Sequence, residues 1–282
     1  MEELVSVILT TYNRCDILPR CLDSVLSQNY NNMEILVIND NSSDNTKKII
    51  KKYQSKDSRI KYYEHKKNRG NAATRNTGVK NVSGKYVAFM DDDDEWIDEN
   101  KLKKQVNIFE NNDEGKIGII CTSINLVDEK RNIEQKVIKR PYNFKERILK
   151  KNGIIYSPTV MTRKSILQQT GGFDERFPRG VDSDFYRMVV FNYGYDVYFL
   201  EDITTSIHEY GNDRMTPTDS EKAIYKNIIT YRTCLAKYKK EFEKRKSAKY
   251  FRKKRIVKDY IKLLSINFKL AYIKELIKSL FI

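Results

Sequence analysis

Scarcities bound this 282-residue chain first: it has 5 prolines, 4 cysteines, 2 histidines and 1 tryptophan. With so little proline, and with 40% hydrophobic and 11% aromatic residues, it is neither collagen-like nor disordered. Cys15, Cys21, Cys121 and Cys234 make no CxxC pair and no dense framework of the kind that staples a short secreted domain. They read as reduced thiols of a cytosolic protein, in the core or at the surface. No uncharged apolar stretch approaches the roughly 18 residues of a membrane span. The start, MEELVSVILTTYNR, opens with two acids and has an apolar run only from Leu4 to Leu9, so it lacks the basic start and longer apolar centre of a signal peptide. No GxGxxG follows the first apolar run, which argues against a dinucleotide site of the usual kind. The length suits one domain of about 200 to 250 residues with an appendage, or two small domains.

Positive charge is abundant but local. There are 53 Lys and Arg against 38 Asp and Glu, a formal net charge of +15. Residues 237–282 hold 16 basic and 4 acidic side chains, a net of +12, which leaves +3 for residues 1–236. Charge alone would suit a nucleic-acid-binding protein. Here the excess sits in a Leu- and Ile-rich tail, so no nucleic-acid partner is expected.

Residues 4–90 alternate short apolar runs with helical periodicity. The runs at 5–9, 34–38, 60–63 and 85–90 read as strands, the first buried on both faces. Ile17, Leu18, Cys21, Leu22, Val25 and Leu26 recur at helical spacing, and helices are also expected to about Tyr53 and over 72–82. That order implies an α/β domain with a mainly parallel sheet flanked by helices. Further on, 117–121, 160–162 and 196–200 read as strands and 182–191 as a helix. Beyond about Thr216 only charged helical stretches remain, broken near 246–249. The division expected is 1–215 as the main domain, with halves 1–98 and 99–215, and 216–282 as a basic helical C-terminal extension.

In such sheets the ligand crevice lies beyond the carboxyl ends of the strands. There the sequence places Thr10, Thr11, Tyr12, Asn13 and Arg14, then Asn39, Asp40 and Asn41, then Asp91, Asp92, Asp93 and Asp94. Four adjacent aspartates repel one another unless a cation or donors meet them, and hard oxygen ligands suit Mg²⁺ or Mn²⁺. The alternative is a solvated acidic turn ahead of the helix near Asp98. Tyr12 offers a face to a base or is half-buried packing. Asp40 faces a base edge or caps a turn. Taken together these residues describe a nucleotide-diphosphate cradle.

VSVILTTYNR, VINDNSSD, NRGNAATRNTG, AFMDDDDEW and the later GGFDERFPRGVDSDF resemble, in this order and spacing, family 2 of the glycosyltransferases, over residues 4–215. The resemblance implies the GT-A fold and transfer from a UDP-sugar donor to a saccharide or lipid-linked saccharide acceptor in surface polysaccharide, lipopolysaccharide or capsule synthesis. It implies that Thr10, Tyr12 and Asp40 hold the uracil, that Arg75 approaches the phosphates, that Asp91 or Asp92 meets the ribose, and that Asp93 ligates Mg²⁺ or Mn²⁺. The family often has paired acids where this chain has Asn39 and Asp40, and a small residue at the place of Asp92. Its general base lies in an acidic pair within a motif such as ED-x-D. Here Val181-Asp182-Ser183-Asp184 puts Asp182 on that position, with Asp184 as runner-up; the plain reading is that both acids favour the positive end of a helix. His208 resembles the family's late histidine near the metal or diphosphate, against a lone core or surface histidine. His65 reads as an exposed turn residue, and Arg214 adds charge near the phosphates.

The tail, with lysines interrupting apolar residues, can lie on an anionic membrane surface or pack on the main domain. The first would place the protein peripherally on the inner face of the cell membrane. A metal-dependent nucleotidyltransferase shares an α/β sheet and carboxylate-bound metal and is the rival enzyme reading.

Overall fold

The computed structural model describes residues 2–111, 115–209 and 220–280. These divide into two compact units. The first takes its described residues from 2–140, 155–173 and 188–209, the second from 141–154, 174–187 and 220–280. Segments 141–154 and 174–187 thus group with the C-terminal helices, which a split of the chain at 215/216 does not capture.

The first unit opens with β1 (Val5–Thr11), α1 (Leu18–Leu26), β2 (Met33–Asn39), α2 (Thr46–Gln54), β3 (Ile60–Glu64), α3 (Asn71–Asn81) and β4 (Tyr86–Asp91). It continues with β5 (Glu95–Trp96), α4 (Lys101–Asn111), β6 (Ile117–Val127) and β7 (Ile133–Lys136). After α5 (Phe144–Lys150), which belongs to the second unit, come β8 (Met161–Arg163), α6 (Lys164–Thr170), the end of α7 (Val181–Phe191) and β9 (Asp196–His208). The sheet order is β3-β2-β1-β4-β8-β6-β9-β5, with β7 paired to β6. Strands β1, β2, β3, β4, β6 and β9 run one way, and β5, β7 and β8 the other. The mainly parallel sheet read from the sequence is therefore present.

Continuous apolar runs make the central strands because both faces are covered. Val5, Val7 and Leu9 point to the same core as Leu18, Cys21, Leu22 and Val25 of α1 and Val106 and Phe109 of α4. On the opposite face α3 lies against β1 at Gly78, where an added Cβ would stand 2.6 Å from Ile8 Cγ2. Strands β6 and β9 are longer than the expected 117–121 and 196–200. Thr204, Thr205 and Ser206 interrupt the apolar pattern, but they are buried, and Thr204 exchanges a 2.6 Å hydrogen bond with Thr122 of β6. The Thr204 and Thr205 hydroxyls are satisfied inside the sheet, so polarity there does not mark its end.

The second unit is helical: α5, the start of α7, then α8 (Glu221–Lys237), α9 (Lys239–Lys244), α10 (Lys246–Ile266) and α11 (Leu270–Leu280). The helical tail breaks at Arg245, just ahead of the expected position. Ala248, Arg252, Ile256, Tyr260 and Leu263 form the buried stripe of α10, at helical spacing. Arg252 Nε donates to the Leu149 carbonyl and Arg187 Nε to that of Ile148, both at 2.6 Å. Two buried guanidiniums thereby meet the end of α5, where carbonyls lack helical partners. Among the described residues no helix is long and apolar enough to cross a membrane.

Candidate active site

Parallel pairing brings three loops to one edge. Thr10 lies opposite Asp91 and Ile38, and Thr11 opposite Asn39. Because β1 sits between β2 and β4, the chain leaves it toward β2 and later returns on the other side, which opens a crevice at this point. The loops are tied together there. Asn13, with φ of 51°, accepts at Oδ1 from the Ser43 amide (2.8 Å), and its own amide donates to Ser42 Oγ (2.9 Å). Half-buried Tyr12 donates its amide to Asp92 Oδ2 at 3.3 Å.

Asp40 is buried and accepts three short hydrogen bonds. His65 Nδ1 lies 2.7 Å from Oδ1, and the amides of Arg69 and Gly70 donate from 2.8 Å. Asp40 therefore fixes the turn that leads into α3. The expectation for His65 is corrected: it is buried, with its ring held between Asp40 and Thr77 Oγ1 at 2.8 Å. Its charged neighbourhood, EHKKN, suggests exposure, but its partners come from the residue after β2 and from α3.

At the end of β4 the four aspartates are partly withdrawn from water. Asp92 and Asp94 are buried, whereas the side chains of Asp91 and Asp93 retain 27% and 32% exposure. Arginines gather around them. Arg75 Nη2 donates to Asp91 Oδ1 at 2.6 Å, Arg20 Nη2 donates to the Asp93 carbonyl at 2.6 Å, and Arg14 Nη2 stands 3.9 Å from Asp93 Oδ2. Arg20 Nε also lies 3.7 Å from Glu95. Five carboxylates, Asp91 to Asp94 and Glu95, face three guanidiniums, a formal balance of −2. Burial, then the charge of Asp93, push the Asp92 carboxyl up to about 7, and burial with Asp93 and Asp91 raises Asp94 well above the carboxylate range.

His208, the last residue of β9, closes the group: its amide donates to Asp94 Oδ1 at 3.1 Å and its Nε2 lies 3.2 Å from Glu95 Oε1. Burial foremost, and then the charge of Arg20, lower its pKa, which favours neutral imidazole, the metal-binding form. Arg14, Arg20 and Glu95 are the residues that sequence reading did not single out. Arg14 was legible as part of the strand-end segment, whereas Arg20 lies within α1 and carries no sequence signal of its own.

The two acids of α7 differ sharply. Asp184 is fully buried, bound by Lys237 Nζ at 2.6 Å and by the Tyr238 hydroxyl at 2.8 Å. Burial raises its pKa and Lys237 opposes that. Asp182, in the first turn of α7, keeps access to solvent. Arg214 lies outside the described residues.

The donor set fits a divalent cation. The half-open carboxylates of Asp91 and Asp93 and the imidazole of His208 offer oxygen and nitrogen donors of the kind such an ion takes. Among the described residues no three His, Cys, Asp or Glu side chains form a ready-made cage. A Mg²⁺-type site is commonly of this sort, with one or two carboxylates completed by phosphate and water.

The sequence model of glycosyl transferase family 2 matches residues 6–171, more than half of the chain. The chain belongs to glycosyl transferase family 2. This family 2 glycosyltransferase is 32% identical over 201 residues to an uncharacterized glycosyltransferase of Methanocaldococcus jannaschii, covering 70% of this chain and 68% of that one. It is 43% identical over 107 residues to a UDP-Glc:alpha-D-GlcNAc-diphosphoundecaprenol beta-1,3-glucosyltransferase of Escherichia coli, covering 38% and 41% of the two chains. Several longer bacterial relatives are spanned to only 14–17% of their length. Among solved structures it is similar to Staphylococcus aureus TarS in complex with UDP-GlcNAc, with a TM-score of 0.68, 20% identity and coverage of 98% and 79%. It is also similar to a mannosyltransferase of Pyrobaculum calidifontis with GDP-Man and Mn²⁺, with a TM-score of 0.63, 18% identity and coverage of 97% and 78%. The fold of this family 2 glycosyltransferase is that of the GT-A neighbours.

Proposed function

We propose that this family 2 enzyme transfers a sugar from a UDP-sugar, with inversion, to a hydroxyl of a saccharide or lipid-linked saccharide in surface polysaccharide, lipopolysaccharide or capsule synthesis. The observation that carries the reading is the acid run at the switch point of the sheet, where carboxylates outnumber the guanidiniums beside them, an excess that suits a divalent cation carrying a diphosphate. The TarS complex with UDP-GlcNAc and the name of the Escherichia coli relative support the donor and acceptor classes.

Thr10, Tyr12 and Asp40 are assigned to the uracil, with Asp40 acting chiefly as the anchor of the turn beneath it. Asp91 or Asp92 is assigned to the ribose, and Arg75, through its hold on Asp91, to the phosphate side. Asp93 and His208 are assigned to Mg²⁺ or Mn²⁺, which would stabilise negative charge on the departing diphosphate. Asp182 is assigned as the base that takes the acceptor proton, a contribution on the order of 10² to 10⁴ in rate. Asp184 is already bound to Lys237 and Tyr238 and holds its helix in place.

Exposed Ile261, Ile266, Phe268, Leu270 and Ile277 lie among the lysines of α10 and α11. They support a peripheral position on the inner face of the cell membrane. A panel of nucleotide sugars, tested for thermal stabilisation with Mn²⁺ and then for products, tests the reading. UDP-sugars should stabilise most and yield free UDP, whereas pyrophosphate release would point to nucleotidyl transfer instead.

A further inference from the structure

The second unit contains a cavity of about 510 Å³ among α8, α9, α10 and α11, a size that suits a small ligand. Leu235, Phe242 and Ile256 line it and are buried, so its floor is apolar. Lys239, Lys249 and Lys253 also line it and retain exposure, which puts them at its opening. One carboxylate, Glu275, lines the cavity, and it is taken: Arg232 Nη1 and Lys278 Nζ each lie 2.8 Å from it. Among the described residues no carboxylate lies within ion-pair distance of Lys239, Lys249 or Lys253.

Lys249 and Lys253 are four residues apart on α10 and share a face, where like charges repel. Burial, and then the charge of Lys249, lower the pKa of Lys253. An anion at the opening would relieve both. We propose that this cavity takes the hydrocarbon chain of a phosphate-bearing lipid, with the phosphate set against Lys239, Lys249 and Lys253. Several ammonium point charges suit a tetrahedral oxyanion of more than one charge. The apolar floor requires a chain, which distinguishes the ligand from free phosphate. This cavity shares no lining residue with the sheet edge and stands or falls independently of the donor, the base and the metal.

The test uses the full chain, without a bilayer and without turnover. Isothermal titration with dodecyl phosphate below its critical micelle concentration should give one molecule bound per chain. Binding should be on the order of 30-fold tighter than for inorganic phosphate or for uncharged dodecyl maltoside, since one lacks the chain and the other the charge. Ala236→Trp introduces bulk into the lining from an exposed position, and the double variant Lys249→Glu, Lys253→Glu reverses charge at the opening. Each should weaken dodecyl phosphate on the order of tenfold while the melting midpoint stays unchanged. Equal binding of inorganic phosphate or of dodecyl maltoside, or unchanged affinity in both variants, overturns the proposal. Flotation with anionic vesicles is a separate readout of the whole basic face, so loss of dodecyl phosphate binding with flotation intact distinguishes this site from general membrane attraction.

Discussion

Arg75 Nη2 donates to Asp91 Oδ1 at 2.6 Å from a side chain that is only 5% exposed. The bond ties α3, on one face of the sheet, to the end of β4, so the first aspartate of the acid run is held from beneath. Arg75→Met leaves Asp91 in an acid cluster without its nearest cation. Urea denaturation should show a loss of about 3 kcal/mol, because breaking a largely buried pair strands one charge. Transfer should fall on the order of 10²-fold. Unchanged stability would mean that solvent already screens Asp91.

Asp182 and Asp184 should separate in opposite directions. Asp182→Asn should reduce transfer by on the order of 10² to 10⁴ with UDP affinity and melting midpoint intact. Asp184→Asn should lose about 2 to 4 kcal/mol of stability, because the buried Tyr238 hydroxyl loses its anionic acceptor and Lys237 keeps only Asp174, 2.8 Å away. An active Asp182→Asn enzyme sinks the assignment of the base.

Metal dependence is the expected outcome of the excess of carboxylates at the acid run. EDTA should abolish transfer, and Mg²⁺ or Mn²⁺ should restore it. In thermal melts with UDP, Mn²⁺ at about 100 times its Kd should add about 2.7 kcal/mol, and Asp93→Asn should lose that increment. Full activity in EDTA would count against Asp93 and His208 as ligands.

Lys101 makes a separate pH prediction. It is fully buried, its Nζ donates to Gln105 Oε1 at 2.8 Å and lies 4.3 Å from the Trp96 ring centre, and burial lowers its pKa to about 7 from 10.5. The folded state therefore holds the proton less tightly than the unfolded chain. Its destabilisation is full below pH 7 and fades as pH rises toward 10.5. Lys101→Met should stabilise the protein at pH 7 by about 2 to 4 kcal/mol, and its advantage over wild type should shrink by pH 10. A difference that does not change with pH would show that Lys101 is not the titrating group.

Local pattern made much of this protein legible. Val5 to Leu9 and Glu34 to Ile38 read as buried strands because parallel strands covered on both faces need little polarity. The acids after β4 and the aromatic and carboxylate after β1 and β2 were readable as one polar edge because a βαβ order sends those loops to the same end of the sheet. The lengths of β6 and β9 were not legible, since Thr204 and Thr205 look like loop residues until Thr122 of the neighbouring strand meets the Thr204 hydroxyl, which in turn meets that of Thr205. His65 was misjudged for a similar reason: its sequence neighbours are charged, but its partners, Asp40 and Thr77, are 25 and 12 residues away.

The amino-acid order by itself determined the alternation of strands and helices, the polar edge and the concentration of +12 in the tail, because these depend on spacing along the chain. Tertiary structure decided which acid of α7 is buried against Lys237, how Arg14, Arg20 and Arg75 divide the charge of the aspartates, and that the basic tail builds a helical unit with an apolar cavity. Each of those depends on the distance between groups far apart in sequence, and electrostatic and packing energies are set by that distance.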